Sequence, residues 1–316
     1  MFLRILTVSL LATAACSNPP PKSQAPSALA SGWSLDPGGD LNGFFDCLEA
    51  EGVSLVSAHR GGPAPGYPEN AVETFAHVLS LAPAMLEIDV AQSADGVLFL
   101  MHDDRLERTT TGAGEAAAQK WAQLAAFRLE DESGKATRFH PARLSEALAF
   151  AKDRTVAQID FKQSARYEDV IAEIRAADAE TRVILIAYTL SSARKLHRLA
   201  PEMMISLNLA SMSELNAAVA AGVPADRLLG FTGVEAPDAR AFRALNSRGV
   251  EVIFGTLGGV DSIDARLEAS GDDALYAELS EDGVDIIATD RPLEAHKALE
   301  AAGRGARDGV CGITKR

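Results

Sequence analysis

The chain has 316 residues, of which 47% are hydrophobic and 23% charged, enough apolar content for a sizeable core and too much for a disordered tail. Forty-four acidic residues against 30 basic ones give a net charge of −14 with no basic cluster, which excludes a binder of nucleic-acid backbone. Three cysteines are too few for a disulfide framework, and past residue 16 no run approaches the roughly 18 apolar residues of a membrane-spanning helix.

Met1–Arg4 is a short basic start, and Ile5–Ala15 is an apolar run of signal-peptide length. The run ends on Thr13-Ala14-Ala15-Cys16, and Ser17-Asn18-Pro19-Pro20-Pro21 follow. Small residues before a cysteine and a Pro-rich stretch after it resemble the bacterial lipoprotein signal. That resemblance implies a lipid on Cys16, export to the periplasmic side, and a membrane partner held through the lipid alone. The alternative is an ordinary cleaved signal peptide. Residues 1–16 are thus expected to be a signal, 17–40 a flexible tether rich in Pro, Ser, Ala and Gly, and 41–316 one domain. Cys47 and Cys311 flank that domain; in an oxidising compartment they either pair or stay two buried thiols.

Strand-like runs follow at Leu55–His59, Met85–Val90, Val97–His102, Val156–Lys162, Val183–Tyr188, Met204–Leu209, Leu228–Thr232, Val250–Thr256 and Asp285–Thr289. Helical spacing lies between most of them, as in Val72/Phe75/Val78/Leu79 and Leu144/Leu148/Ala151. Asn70, Ser145, Ser191, Ser213 and Asp290 are candidate N-caps. Alternating strands and helices predict βαβ units and a parallel sheet. Only Ala91–Gly96 separates the second run from the third, too short for a parallel crossover, so that pair is expected to form a hairpin turning at Asp95-Gly96. Eight βα units remain over residues 54–302, about the size of a (β/α)8 TIM barrel, with the hairpin inserted after barrel strand 2. No Gly-rich phosphate fingerprint supports a doubly wound sheet.

In such a barrel the chemistry sits at the C-terminal strand ends. His59 and Arg60 end the first strand, before Gly61-Gly62-Pro63. Glu87 and Asp89 are two apart on the second strand and share a face, and Asp160 and Lys162 repeat that spacing on the next. Buried carboxylates need positive charge, and three of them make an oxygen-rich pocket suited to one divalent cation, Mg2+ or Ca2+, rather than zinc. His59 and His102 suit general acid–base work, while Arg60 and Lys162 suit a phosphoryl group. The inferred class is metal-assisted phosphodiester cleavage of a small-molecule substrate. Asp103 and Asp104 read as turn residues, Arg108, Thr109 and Thr110 as loop polarity, and His77, His140, His197 and His296 as structural.

The ordered series His59-Arg60-Gly61, Pro68-Glu69-Asn70 with Thr74, Glu87-x-Asp89, Asp95-Gly96, His102-Asp103 and Leu106-x-Arg108-Thr109-Thr110-x-Gly112 resembles the glycerophosphodiester phosphodiesterases. These are TIM-barrel enzymes related to the phosphatidylinositol-specific phospholipases C. Leu144–Leu148 and Gly283–Pro292 extend the resemblance over nearly the whole body. It implies Glu87, Asp89 and Asp160 as metal ligands, His59 and His102 as base and acid, Arg60 and Lys162 on the phosphate, and Glu69 and Asn70 in support. The implied products are glycerol 3-phosphate and an alcohol. Three departures stand out: Asp160 replaces a usual Glu, Ile253–Leu257 lacks a usual Trp-Thr, and Ala187-Tyr188 replaces Ser-Phe. Other readings are a phospholipase-like enzyme acting on intact lipid, and a non-catalytic phosphodiester-binding lipoprotein.

Overall fold

The computed structural model describes residues 32–316, so the signal segment, Cys16 and most of the expected tether lie outside the described residues. The strands in chain order are β1 Trp33–Leu35, β2 Leu55–Ala58, β3 Ala84–Gln92, β4 Leu98–Leu100, β5 Ala157–Phe161, β6 Val183–Ala187, β7 Met204–Asn208, β8 Leu228–Phe231, β9 Glu251–Gly255, β10 Ile286–Thr289 and β11 Ile313–Lys315. Eight of them pair in parallel in the order β2-β10-β9-β8-β7-β6-β5-β3, and β2 pairs with β3 to close the ring. This is a (β/α)8 barrel. The short β4 pairs antiparallel with the far end of β3, Val90 facing Leu100 and Gln92 facing Leu98.

Alternation along each strand divides the core. Val56, Leu86, Ile159, Leu185 and Val252 point outward against the helices. Leu55, Met85, Ile184, Met204, Leu229, Ile253 and Ile286 point inward and fill the lower half of the barrel. These residues stand near the N-terminal ends of their strands, so this half is the floor.

The floor is sealed by the two ends of the described chain. Helix α1, Leu41–Ala50, buries Leu41, Phe44, Phe45 and Leu48 at helical spacing against the inward floor residues. Asp40 caps it by accepting the Gly43 N–H at 3.1 Å. Trp33 and Leu35 join the same cluster, so part of the expected tether is a buried strand, paired antiparallel with β11. Each fully buried Leu or Phe contributes about 1.5–3 kcal/mol, which is why these residues fold onto the barrel. Cys47 of α1 is bonded to Cys311, across a separation of 264 residues, which removes the free-thiol alternative.

Some helix starts differ from expectation. Thr189 and Ser211, two residues before Ser191 and Ser213, accept the first free N–H groups, and Arg143 precedes the helix that contains Ser145. A hydroxyl caps only from the extended residue just outside the helix. Among the described residues no helix is long and apolar enough to cross a membrane.

Candidate active site

β2 ends in a tight turn, His59–Gly61, that the sequence can make only with glycines. A Cβ on Gly61 would lie 2.1 Å from Phe75, and one on Gly62 2.9 Å from Pro292 and Val78. Arg60 itself sits at φ +50, a conformation that disfavours side chains by roughly 1–2 kcal/mol. The turn aims the Arg60 N–H at Glu87 Oε2, 2.8 Å away, while the Arg60 Nη1–H donates to Glu69 at 3.0 Å.

Asn70, expected as an N-cap, is instead a clamp; Ala71 occupies the N-cap position of the next helix and makes no side-chain bond there. At φ +57, which Asn tolerates, its side-chain amide donates to Asp89 Oδ2 at 2.7 Å, and its carbonyl accepts the Asp89 N–H at 3.0 Å. β3 and β5 run in register, Glu87 beside Gln158 and Asp89 beside Asp160. Glu87, Asp89 and Asp160 therefore converge, with one oxygen of each within 4.8 Å of the others. Lys162 Nζ lies 2.6 Å from Asp89 and 2.7 Å from Asp160. Gln158 and Ser57 bond each other beneath this layer and separate it from the apolar floor.

Burial and then the neighbouring Asp89 push the Glu87 carboxyl up to about 8. Burial alone would also raise Asp89, but Lys162 and Asn70 hold it below its ordinary value. Burial alone would lower Lys162, and Asp89 and Asp160 raise it instead. Asp160 Oδ1 is buried without a hydrogen-bond partner among the described residues, as is Arg60 Nε. Asp160 Oδ1 is a free acceptor, whereas Arg60 Nε lies 3.9 Å from Asp89 Oδ2. The three carboxylates, one with an unmet oxygen, form a hard-oxygen donor set that fits a divalent cation. The Arg60 guanidinium faces Glu69 and Asp89 and does not line the cavity that holds the other candidate residues.

Both candidate histidines have carboxylate partners that the sequence did not announce. His59 Nδ1 is 2.6 Å from Asp290 Oδ1, and His102 Nδ1 is 2.7 Å from Asp103 Oδ1. Asp290 is not the N-cap of the last helix, and Asp103 is more than a turn residue. Burial would lower His59, yet Asp290 and Glu87 raise it above its ordinary value. With Nδ1 bonded in each ring, Nε2 is left for chemistry. His59 and His102 line one cavity of 170 Å3 with Glu87, Asp89, Asp160 and Lys162. The other histidines stay apart: His77 stacks on Tyr67, His140 bonds the Phe127 carbonyl, and His296 meets Trp33 edge-on.

The opposite wall of the cavity is less polar, with Ile186, Tyr188, Asn208, Phe231 and Leu257. Gly255 opens no gap there. A Cβ on it would lie 2.7 Å from Val234 and 3.4 Å from the Phe231 ring, so Phe231 supplies an aromatic group from the neighbouring strand.

Residues 59–294 match the model of the glycerophosphoryl diester phosphodiesterase family. Glycerophosphodiester phosphodiesterases of Bacillus altitudinis and Caldanaerobacter subterraneus are 29% and 28% identical over 49% of this chain, and the matches span 66% of each relative. A glycerophosphoryl diester phosphodiesterase structure from Parabacteroides distasonis superposes with a TM-score of 0.80 and 29% identity, covering 90% of this chain and 99% of that one. A phosphodiesterase from Oleispira antarctica, solved with sn-glycerol-3-phosphate, shares the fold at a TM-score of 0.61 and 19% identity, over 78% of this chain and 97% of that one.

Proposed function

The chain belongs to the glycerophosphoryl diester phosphodiesterase family, and from that premise we propose that it hydrolyses small glycerophosphodiesters to glycerol 3-phosphate and an alcohol, with one divalent cation, Ca2+ or Mg2+. The observation that carries this reading is the pairing of two carboxylate-backed histidines with a three-carboxylate cluster around one cavity. Glu87, Asp89 and Asp160 hold the cation, which when bound polarises a phosphoryl oxygen and offsets charge that develops on it.

The protein's own groups do the proton work. Asp290 fixes the His59 ring, so its Nε2 accepts the proton of the attacking hydroxyl, from water or from the substrate itself. Asp103 fixes the His102 ring, so its Nε2 returns a proton to the departing alcohol oxygen. Lys162 Nζ at the cavity, and the Arg60 guanidinium on turning toward it, bind the remaining phosphoryl oxygens. Asn70 and Glu69 hold Asp89 and Arg60 in place.

We further propose that the protein is an exported lipoprotein anchored through Cys16. The test of the hydrolytic reading is phosphorus NMR of the full chain with glycerophosphocholine and glycerophosphoethanolamine in one arm and phospholipid vesicles in the other. Glycerol 3-phosphate from the dissolved diesters without detergent is the expected result. Turnover of vesicles alone would overturn it in favour of a lipid substrate, and turnover of neither in favour of a binding protein.

A further inference from the structure

Arg108 reads from the sequence as loop polarity, yet its guanidinium engages two carboxylates at once. Its Nε and Nη2 donate to Asp103 at 2.6 and 2.8 Å. Its Nη1 and Nη2 donate to Glu69 at 2.7 and 2.9 Å. Each carboxylate holds a residue of the site, Asp103 through the His102 ring at 2.7 Å and Glu69 through the Arg60 guanidinium at 3.0 Å. One planar fork thus stands between a candidate proton donor and a candidate phosphate-binding group.

Backbone N–H groups tie both elements to β3, that of Met101 donating to the Asp89 carbonyl at 3.0 Å and that of Arg60 to Glu87 at 2.8 Å, and the fork joins their side chains directly. His102 follows the added strand β4, which pairs with β3 and bridges Arg143, while Arg60 and Glu69 belong to the segment between β2 and the helix Val72–Leu81. The loop that carries Arg108 is itself anchored. Leu106, Thr109 and Thr110 are buried around it, and the Thr110 hydroxyl donates to the Leu106 carbonyl at 2.8 Å. The half-exposed Arg108 is therefore a fixed arm rather than a loose surface charge. Only a guanidinium can serve both carboxylates in one plane; an ammonium is a point charge without the fork.

We propose that Arg108 is a positioning residue that sets His102 relative to Arg60, so that proton delivery and phosphate binding depend on one side chain. It does not line the cavity. The proposal rests on the reading of His102 and Arg60 given above, and it adds the coupling between them. Asp103→Asn is then expected to lower kcat with little change in the inhibition constant of inorganic phosphate. Glu69→Gln is expected to weaken phosphate more than it lowers kcat. Arg108→Lys and Arg108→Ala are expected to do both, with kcat falling roughly 10–100-fold, the scale of a displacement of about 1 Å in a catalytic group.

The experiment uses the full chain and four readouts: kcat, phosphate inhibition, calorimetric binding of phosphate, and the side-chain 15N signals of His102. Added methylguanidinium should partly restore the alanine variant, while methylammonium should not. Wild-type kcat and phosphate inhibition in Arg108→Lys would overturn the proposal. So would losses in the alanine variant that track its unfolded fraction and resist methylguanidinium. If the wild type turns over no diester, the functional reading falls instead. Phosphate binding and the His102 signals still decide the positioning, because an unchanged ring signal and unchanged phosphate affinity in Arg108→Ala would refute it.

Discussion

The mouth and the floor of the barrel both bury carboxylates, and they treat Asp89 and Glu251 in opposite ways. At the mouth, Asp89 is 1% exposed and stays ionised because Lys162 and Asn70 contact it. At the floor, Glu251 is 4% exposed, its Oε2 has no partner among the described residues, and burial pushes it up to about 8. Nearby Asp285 is pushed up to about 7 by burial, although its carboxylate accepts the Val252 N–H at 2.7 Å. Burial of an acid therefore does not mark a site. What distinguishes the mouth is the set of cations and donors built around its acids, and the histidines beside them.

The sharpest way to break this contrast is at the mouth. His59→Ala and His102→Ala should each lower the catalysed rate roughly 10²–10⁴-fold and leave the thermal midpoint near wild type, as measured by steady-state kinetics and calorimetry. Because the two act as a unit, the double variant should be no worse than the more damaged single. A normal rate in either single variant would remove that histidine from the mechanism.

Cutting the clasp at the floor should have the reverse signature. Replacing Cys47 and Cys311 together by Ser should reduce stability by about 2–4 kcal/mol in denaturant unfolding and leave kcat unchanged. A large fall in kcat at full folding would mean that floor and mouth are coupled, which the contrast denies.

The smallest effect concerns Glu251. Its value in the folded chain lies above the ordinary 4.5, so its contribution to stability is complete below about 4.5 and is lost as pH rises through about 8. Glu251→Gln cannot ionise, so its thermal midpoint should gain on wild type progressively from pH 5 to pH 9. A difference that stays constant with pH would show that this carboxyl does not titrate where its burial puts it.

The same contrast explains how much was legible in the sequence. Strand alternation and loop length revealed the barrel, because inward and outward faces repeat every two residues and a six-residue link cannot make a parallel crossover. The convergence of Glu87, Asp89, Asp160, His59, His102 and Lys162 followed from strand ends alone. Asp290 was hidden by 231 residues of separation from His59, although barrel closure sets Thr289 opposite Ala58 and so brings the next residues together. Asn70 looked like a cap because a short polar side chain before a helix has that common use; only the left-handed backbone there turns it onto Asp89. Arg108 stood in the ordered series yet read as loop polarity, because a bridging guanidinium has no spacing rule. Trp33 and Leu35 were lost in a Pro- and Ser-rich stretch whose composition outweighed two apolar residues.

The central claim is that the mouth carboxylates make phosphodiester hydrolysis depend on a divalent cation. The most direct test is the initial rate of glycerol 3-phosphate release from glycerophosphocholine against Ca2+ and Mg2+ concentration, in the wild type and in Asp160→Asn. The prediction is no release in chelator, saturation with one of the two cations, and a much higher cation requirement in the variant. Full release in chelator, or an identical cation dependence in the variant, would contradict it.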